Sequence, residues 1–315
     1  MDVCVLGRIG YDLYAMEHGR PLGEVEHFSR HLGGSSANIA VGLARLGHAV
    51  GIISSVGADA LADYLLAFLR AEKVDARFVR LVPGYNTSLC LTEVSPPDRF
   101  PQVFYRREAA DTRVEVGAAE LQAVRRSRLF VTNGTSLAAS PSRESTLAAL
   151  RAAREAGART VLDVDYRASS WPSPSAAGEQ ARRALGLVDV LLGNEDEIAL
   201  LTGEADPARE VAAVLDAGVS LLVRKLGARG VEAHTAEESS SVPPLPVEVV
   251  STIGAGDAFA AGFLDGLHRG RPLAECLRAG NAAAAIVVGR VSCSDAMPYR
   301  NEIDALLLRA GAGSA

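Results

Sequence analysis

Near its carboxyl end the chain contains a glycine turn that leads into an apolar stretch and carries a single carboxylate. The turn consists of Gly254, Ala255, Gly256 and Asp257. Glycine lets the backbone come close to a bound group, and the free amides of a helix start attract negative charge. Asp257 is therefore either a cap of the new helix or a general base for a hydroxyl that attacks a phosphoryl group.

A second glycine pair, which ends at Gly34, opens another apolar stretch near the amino end. Ser35 or Ser36 can cap the helix that is predicted there. A cap does not account for the polar Asn38 in the first turn, whose amide can both donate and accept hydrogen bonds. With Asp12, which follows the first predicted strand, Asn38 is suited to bind neighbouring hydroxyl groups.

Two further polar segments each follow a predicted buried strand. Asn194 and Glu197 lie in the first segment, and Lys225, Gly227 and Gly230 lie in the second. Acidic residues at a helix start usually interact with the helix dipole, and a glycine turn of this kind usually closes a hairpin. Because both segments follow parallel strands, we expect them to face the same crevice as the carboxyl-terminal glycine turn, where Mg²⁺ and a nucleotide could be bound together.

The composition limits the classes of protein that fit. The chain has 315 residues, 48% of them hydrophobic, so it can bury a large core. Its formal net charge of -6 argues against a nucleic-acid partner. The four cysteines show no metal-binding spacing, which favours the reduced thiols of a cytoplasmic protein, and no apolar run predicts a membrane span. A P-loop motif and a dinucleotide GxGxxG motif after the first strand are both missing, so a nucleotide would be bound in another way.

The secondary-structure pattern is that of repeated βα units. Short runs rich in Val, Ile and Leu predict strands at 3–6, 50–56, 129–132, 160–164, 190–192 and 221–224. Helices are predicted between them at 36–46, 59–71, 142–155, 195–201 and 207–216, and then at 256–270 and 272–288. The nearly continuous hydrophobicity of the strands implies burial on both faces. We therefore predict an α/β fold with a doubly wound, mainly parallel sheet and ligands at the carboxyl ends of its strands.

Two segments, at about 9–30 and 78–112, interrupt this pattern with alternating polar and apolar residues and several prolines. They predict antiparallel strands and loops at the edge of the α/β body. They are either surface excursions or a lid that closes over a substrate, and their length favours the lid. An exposed edge of such a lid sheet could pair two copies of the chain into a homodimer.

Taken together, residues 33–47 and 254–257 resemble the two signature regions of the ribokinase-like (PfkB) sugar kinases. The resemblance extends over essentially the whole chain and implies one ribokinase-like domain, 1–315, with the lid segments inserted in it. It implies a doubly wound α/β fold with a small β-sheet lid, which the strand and helix pattern predicts independently. It also implies an ATP-dependent kinase that uses Mg²⁺ and binds a small sugar substrate.

The resemblance assigns roles to individual residues. Asp257 looks like the base that takes the proton from the sugar hydroxyl. The anion hole for the transferred phosphoryl group looks to be formed by the backbone amides of Gly254, Ala255 and Gly256. The nucleotide contacts are Asn194, Lys225, Gly227, Gly230 and Asn281. The sugar-hydroxyl contacts are Asp12, Gly34 and Asn38. Glu197 is expected to act on Mg²⁺ indirectly, through water or phosphate.

The chain departs from the family pattern at Ser251, where the family usually has an aspartate. In relatives that aspartate helps to bind a monovalent cation. The resemblance therefore leaves a potassium requirement open, whereas the catalytic base remains in place.

Substrate choice depends on the middle of the chain. Tyr105 and Arg106 lie in the predicted lid, and Arg167 follows the strand predicted at 160–164. Two converging arginines are a natural clamp for a carboxylate, although each could instead pair with a nearby Asp or Glu. Together with the Gly7-Arg8 start, these segments look most like the branch of the family that phosphorylates 5-dehydro-2-deoxygluconate, a sugar acid of inositol catabolism.

The working hypothesis is an ATP-dependent kinase that transfers the γ-phosphate to the terminal hydroxyl of this keto sugar acid. The alternatives within the family are a 2-dehydro-3-deoxygluconate kinase, a fructokinase or ribokinase, and a nucleoside kinase with an apolar base pocket. A non-enzymatic alternative is an inactive sugar sensor with the same fold. The intact base, glycine turn and acidic pair argue against the sensor.

Overall fold

Alternating strands and helices dominate the computed structural model, which describes residues 1–96 and 99–312. The strands are β1 (Val3–Leu6), β2 (Gly10–Ala15), β3 (Phe28–Gly33), β4 (Val50–Gly57), β5 (Asp75–Val82), β6 (Leu89–Thr92), β7 (Gln102–Tyr105), β8 (Leu129–Asn133), β9 (Arg159–Asp163), β10 (Val190–Asn194), β11 (Leu221–Lys225), β12 (Val231–His234) and β13 (Ser239–Val242). The helices are α1 (Ser35–Arg45), α2 (Ala60–Ala71), α3 (Ala118–Arg125), α4 (Ser142–Glu155), α5 (Pro174–Leu185), α6 (Glu195–Thr202), α7 (Pro207–Asp216), α8 (Ala255–His268), α9 (Leu273–Val288) and α10 (Arg300–Ala312).

The main sheet of the described chain has nine strands in the order β13-β12-β11-β10-β9-β8-β1-β4-β5. The strands from β11 to β5 pair in parallel, and β12 and β13 add an antiparallel edge. The order of the strands along the chain reverses between β1 and β8. This is the doubly wound arrangement predicted from the sequence, and its switch point is the place where such sheets bind ligands.

Burial on both faces explains the hydrophobic strand runs. In β1, Val3 and Val5 belong to one core cluster, and Cys4 and Leu6 belong to another. The first core lies between the sheet and α1, α2, α8, α9 and α10, and the second is closed by α3 to α7. None of the helices in the described part of the chain is long and apolar enough to cross a membrane.

A second sheet of four strands, which we call the lid, has the order β3-β2-β6-β7. It differs from the predicted antiparallel lid because β2 and β6 pair in parallel. Strand β5 overlaps the start of the segment expected at 78–112, yet it pairs with β4 in the main sheet. The serine-rich run before Pro243 forms strand β13 at the antiparallel edge of the main sheet. Residues 97 and 98 of the second segment lie outside the described residues.

Candidate active site

The glycine turn forms the start of α8. Gly254 adopts a left-handed backbone conformation, with φ 80°, and a Cβ there would lie 2.8 Å from Cβ of Cys293. Glycine is therefore required by both the backbone and the available space. No side chain caps this helix, and Asp257 lies inside its first turn. The alternative interpretation of Asp257 as a helix cap is thus not realised.

The Asp257 carboxylate is fixed by the first turn of α1. The Ser35 hydroxyl donates to Oδ1 over 2.7 Å, and the Asn38 amide donates to Oδ2 over 2.7 Å. The Ser294 hydroxyl donates to Oδ1 of Asn38 over 2.6 Å, which orients that amide. The two glycine-led segments, far apart in the chain, therefore meet at one carboxylate.

The start of α1 also corrects the prediction of a serine cap. Its N-cap is Gly34, with φ 97° and no capping side chain, and a Cβ there would lie 2.4 Å from the Arg8 carbonyl oxygen. Ser35 is used for Asp257 instead, and the Ser36 hydroxyl donates to the Leu6 carbonyl. Gly34 thus brings the backbone of α1 against the segment that follows β1.

Burial raises the pKa of Asp257 above its ordinary value, and the negative charge of Asp165 raises it further. The hydrogen bonds from Asn38 and Ser35 and the charge of Arg167 act in the opposite direction. A carboxylate with a raised pKa accepts a proton more readily than an ordinary aspartate does. The surroundings of Asp257 therefore suit a general base.

A cavity of about 450 Å³ lies in front of Asp257, at the carboxyl edge of the main sheet. Several predicted nucleotide and metal residues line it, namely Asn194, Glu197, Lys225 and Gly227. Gly254, Gly256, Asp257 and Arg167 also line it. The volume falls within the range of small-molecule sites. The structure thus brings together the predicted base, part of the predicted nucleotide site and one of the two predicted substrate arginines.

Lys225 faces the cavity from the end of β11 and pairs with Asp163 at the end of β9. Its Nζ lies 3.0 Å from both oxygens of Asp163. Burial raises the pKa of Asp163 to about 7, although the charge of Lys225 opposes this shift. A Cβ on Gly256 would lie 3.5 Å from this Nζ. Lys225 therefore lies within reach of an anion at the start of α8.

Asn194 and Glu197 form a reciprocal cap at the start of α6. Oδ1 of Asn194 accepts the Glu197 amide over 2.9 Å, and Glu197 accepts the Asn194 amide over 2.8 Å. The other oxygen of Glu197 accepts the amide of Tyr166, which follows β9, over 2.9 Å. The spacing of this pair is thus explained locally by the cap, while Glu197 also joins the ends of two strands.

Gly230 and Asn281 are not among the residues that line the cavity. Gly230, with φ 93°, closes the hairpin between β11 and β12, and a Cβ there would meet the Val242 carbonyl oxygen at 2.2 Å. The Asn281 amide, on α9, donates to the Pro243 carbonyl over 2.9 Å. Both residues hold the segment after β13 beside the hairpin, and their predicted nucleotide contacts stay predictions.

The structure does not bring Tyr105 and Arg106 to the cavity. Tyr105 is 62% exposed on the face of the lid opposite Gln102, which lines the cavity. The guanidinium of Arg106 is buried and pairs with Asp111 over 2.6 Å. It also donates to the Ser170 hydroxyl and the Thr135 carbonyl. For Arg106 the internal ion pair, considered as an alternative above, is the arrangement found.

Arg167 differs because it pairs with a carboxylate and still faces the cavity. Its Nε lies 3.0 Å from Oδ1 of Asp165, and its side chain is 42% exposed. The charge of Asp165 raises the pKa of Arg167, so it remains a cation. Arg167 can therefore receive an anionic group from the cavity.

Asp12 lies on β2, where the lid packs against the α/β body, and is 5% exposed. Its Oδ1 is buried and has no hydrogen-bond partner among the described residues. Burial raises the pKa of Asp12, and the charge of Arg8 opposes the shift. A buried carboxylate oxygen without a partner fits a hydroxyl donor from a ligand.

Sequence reasoning did not place several residues that shape this site. Asp163, Asp165 and Gln102 line the cavity, and Ser35 binds Asp257. The signal for Asp163 and Asp165 was present, since acidic residues at the end of a predicted parallel strand face the ligand crevice. Ser35 carried no such signal because its partner lies 222 residues away in the chain.

The described residues contain no group of three or more His, Cys, Asp or Glu placed to hold a metal ion. At the position where the family usually has aspartate, Ser251 is buried, and its hydroxyl accepts the amide of Ile253 over 3.2 Å. The hydroxyl thus closes a local turn directly before the glycine turn.

Comparison with known proteins gives consistent matches. The model of the pfkB family carbohydrate kinase matches residues 1–300. A 5-dehydro-2-deoxygluconokinase of Clostridium beijerinckii is 35% identical over 95% of this chain and 90% of the relative, and one of Lacticaseibacillus casei is 34% identical over 99% and 97%. Two solved structures are also similar. A putative ribokinase II from E. coli, in complex with ATP and Mg²⁺, superposes with a TM-score of 0.89 at 25% identity, covering 98% of this chain and 99% of that one. A double mutant of Vibrio cholerae fructokinase, with fructose, ADP and potassium bound, superposes with a TM-score of 0.87 at 26% identity, and the match covers 98% of each chain.

Proposed function

Because this chain belongs to the pfkB family of carbohydrate kinases and is an ATP-dependent phosphotransferase, we propose that it phosphorylates the terminal hydroxyl of 5-dehydro-2-deoxygluconate. The observation that carries the proposal is the partly exposed side chain of Arg167, which lines the same cavity as Asp257. A cation placed there favours an acid over a neutral sugar. The relatives named for this substrate, at 33 to 35% identity, support the same choice.

In the proposed reaction, Asp257 accepts the proton of the sugar hydroxyl while the oxygen of that hydroxyl forms its bond to phosphorus and the bond to ADP breaks. Ser35 and Asn38 hold the carboxylate in place through its two oxygens. The amides of Gly254, Ala255 and Gly256 bind the oxygens of the transferred group at the start of α8, where the helix dipole favours negative charge. Phosphoryl transfer depends chiefly on such positioning and electrostatic stabilisation.

The residues of the cavity fit a Mg²⁺-bound nucleotide. Asn194 and Glu197 offer oxygen donors, and the lack of a complete set of metal ligands in the described chain suits Mg²⁺, which keeps water and binds substrate phosphates. When bound, the ion neutralises charge on the phosphates. Lys225 can turn from Asp163 toward an incoming phosphate, and Gly227 leaves the backbone open for the nucleotide. The contacts of Gly230 and Asn281 would lie further along the same nucleotide.

The lid supplies the exclusion of water that a kinase requires. Water competes with the sugar hydroxyl as acceptor, so an open site would hydrolyse ATP without product. Phe100 and Gln102, from the lid segment, line the cavity opposite Asp257. We expect the lid to close over the sugar, with Asp12, Gly34 and Asn38 near its hydroxyl groups.

Two predictions concern assembly and ions. A homodimer through the lid is supported by exposed Val103 and Tyr105 on its outer face and would be detected by light scattering after size exclusion.

Because Ser251 replaces the usual aspartate, we expect exchange of potassium for sodium to change turnover less than about threefold.

The experiment that tests the proposed function is a mass-spectrometric screen of ATP-dependent phosphorylation with the purified protein. The substrates are 5-dehydro-2-deoxygluconate, 2-dehydro-3-deoxygluconate, fructose, ribose and adenosine. We expect the highest kcat/KM with the first acid. A preference for the second acid would transfer the proposal to that substrate, and a preference for a neutral sugar or adenosine would overturn the acid class. Failure to phosphorylate any sugar would favour the sensor.

A further inference from the structure

Arg8, directly after β1, is a buried cation that forms no ion pair with any other described residue. It is 7% exposed, and its Nε is buried with no hydrogen-bond acceptor among the described residues. Within residues 1–96 and 99–312, no carboxylate oxygen lies within 4.0 Å of its guanidinium nitrogens. Its neighbour in the lid is Phe104: Cζ of Arg8 lies 5.5 Å from the centroid of the Phe104 ring.

Three other arginines with largely buried side chains are each paired with a carboxylate. Arg45 lies 2.7 Å from Glu72, and Arg106 lies 2.6 Å from Asp111. Arg224 lies 3.0 Å from both Glu210 and Glu232. Burial of a charge without a counterion is costly, so proteins normally pair it. Arg8 forms no such ion pair among the described residues, and the carboxylate on which its charge acts, Asp12, lies beyond ion-pair distance. This arrangement indicates that its direct anionic partner comes from outside.

The place of Arg8 in the fold is that of a ligand contact. It follows β1 next to β8, at the switch point of the sheet, where doubly wound folds bind small molecules. It also acts electrostatically on Asp12, whose Oδ1 lacks a partner, and Arg167 acts on the same carboxylate. The charges of Arg8 and Arg167 therefore both act at the Asp12 carboxylate, although only Arg167 is among the residues that line the cavity in front of Asp257.

We propose that Arg8 binds the carboxylate of the sugar-acid substrate and determines the preference for an acid. This inference rests on the proposed function and moves the second arginine of the clamp from Arg106 to Arg8. The guanidinium lies beside the Phe104 ring, and its Nε–H has no acceptor among the described residues, so it can form a charge-assisted pair with a carboxylate. Asp12, whose Oδ1 has no hydrogen-bond partner among the described residues, instead accepts from the sugar hydroxyl groups.

The test compares Arg8→Gln with Arg106→Gln, because both replace a buried arginine by a neutral side chain. We expect R8Q to raise KM for the sugar acid about 30- to 100-fold, the effect of losing a buried charge pair, and to raise KM for fructose less than about threefold. R106Q loses an internal ion pair, so its effects on the acid and on fructose should be equal within about threefold. Arg8→Lys keeps the charge and should recover part of the lost affinity.

Thermal unfolding and ATP binding of each variant show whether it is folded. Equal effects of R8Q on the acid and the neutral sugar, or an unchanged KM for the acid in the folded variant, would overturn the role of Arg8. The wild-type substrate profile tests the proposed function separately. If the wild type prefers 2-dehydro-3-deoxygluconate, the named substrate fails and the same comparison with that acid still tests Arg8, whereas a wild type that rejects acids overturns both.

Discussion

Two carboxylates of helix α8 have opposite surroundings. Burial would raise the pKa of both. At Asp265, however, hydrogen bonds from His48, Arg300 and Arg269 hold the pKa well below its ordinary value. At Asp257 the hydrogen-bond donors are the neutral Asn38 and Ser35, and the pKa stays raised. One carboxylate of the helix is thus held by two arginines and a histidine, and the other can still accept a proton.

The difference separates stability from function. The distance from Asp265 to Nε2 of His48 is 2.7 Å, and this contact joins α8 to the segment before β4. The distance to Nε of Arg269, at the carboxyl end of α8 itself, is 2.8 Å. Such a group contributes to folding because its charge is compensated. Asp257 keeps a charge that is compensated only in part, at the start of a helix where an anion is expected. We infer that the first turn of α8 serves chemistry and that the later turns serve packing.

The largest expected effect is that of Asp257→Asn. We expect kcat to fall about 10³-fold because the amide cannot accept the proton of the sugar hydroxyl. The affinity for ATP should change less than about threefold, since the side chain contacts Ser35 and Asn38, which are not predicted to contact the nucleotide. Steady-state kinetics and calorimetric titration with ATP measure the two quantities. Near-normal turnover would remove Asp257 from the role of base.

Asp265→Asn provides the converse test. It leaves Arg269, Arg300 and the His48 ring without their carboxylate, so we expect the free energy of unfolding to fall by about 3 kcal/mol. Urea denaturation measures this loss. Turnover of the folded fraction should stay within about threefold of wild type, because Asp265 lies away from the cavity. A large loss of turnover with unchanged stability would contradict the division of α8 into two parts.

A smaller effect is expected for Gly254→Ala, at the start of the helix. The left-handed conformation costs an L-residue about 1–2 kcal/mol, and the new Cβ would lie 2.8 Å from Cβ of Cys293. We expect the turn and its amides to shift, with about a tenfold loss of kcat.

Gly262→Ala in the middle of α8 is the matched control. There a Cβ would lie 2.6 Å from the Ala279 carbonyl oxygen of α9, so the change should lower the unfolding temperature and spare kcat. If the two alanine variants lost turnover equally, the first turn would have no special role.

The smallest effect concerns pH. The raised pKa of Asp257 means that kcat/KM is lost as pH falls through a value above the ordinary 3.8. The lowered pKa of Asp265 means that its contribution to stability is complete above about 3.8 and is lost only below it. We therefore expect a pH interval in which activity falls while the protein stays folded. Rate profiles and denaturation curves over the same pH range would show coincident losses if this is wrong.

Local patterns were sufficient for most parallel strands of the main sheet, whereas β5, β12 and β13 were not predicted. The first predicted strand, 3–6, coincides with β1. A strand that is buried on both faces is apolar at every position, and such a continuous run can be recognised in the sequence. The lid was harder to predict. The parallel pairing of β2 with β6 joins residues far apart in the chain, and a strand that can pair in either direction carries no local signal of its partner.

The site shows the same division. Glycine turns and polar residues at strand ends indicated Asp257, Asn194 and Lys225, since their types and positions carry the chemistry. Arg106 and Arg8 could not be distinguished in this way. Both are arginines near predicted ligand positions, and only their tertiary partners differ.

The sequence by itself determined the class of fold, the glycine turn with its carboxylate and the family of kinases, because these depend on residue type and short spacing. The tertiary structure alone decided which partners each charge has. Asp257 is held by Ser35 and Asn38, which are 222 and 219 residues away, and Arg106 is compensated where Arg8 is not. The physical reason is that the free energy of a charge depends on its burial and its neighbours in space, and packing sets both.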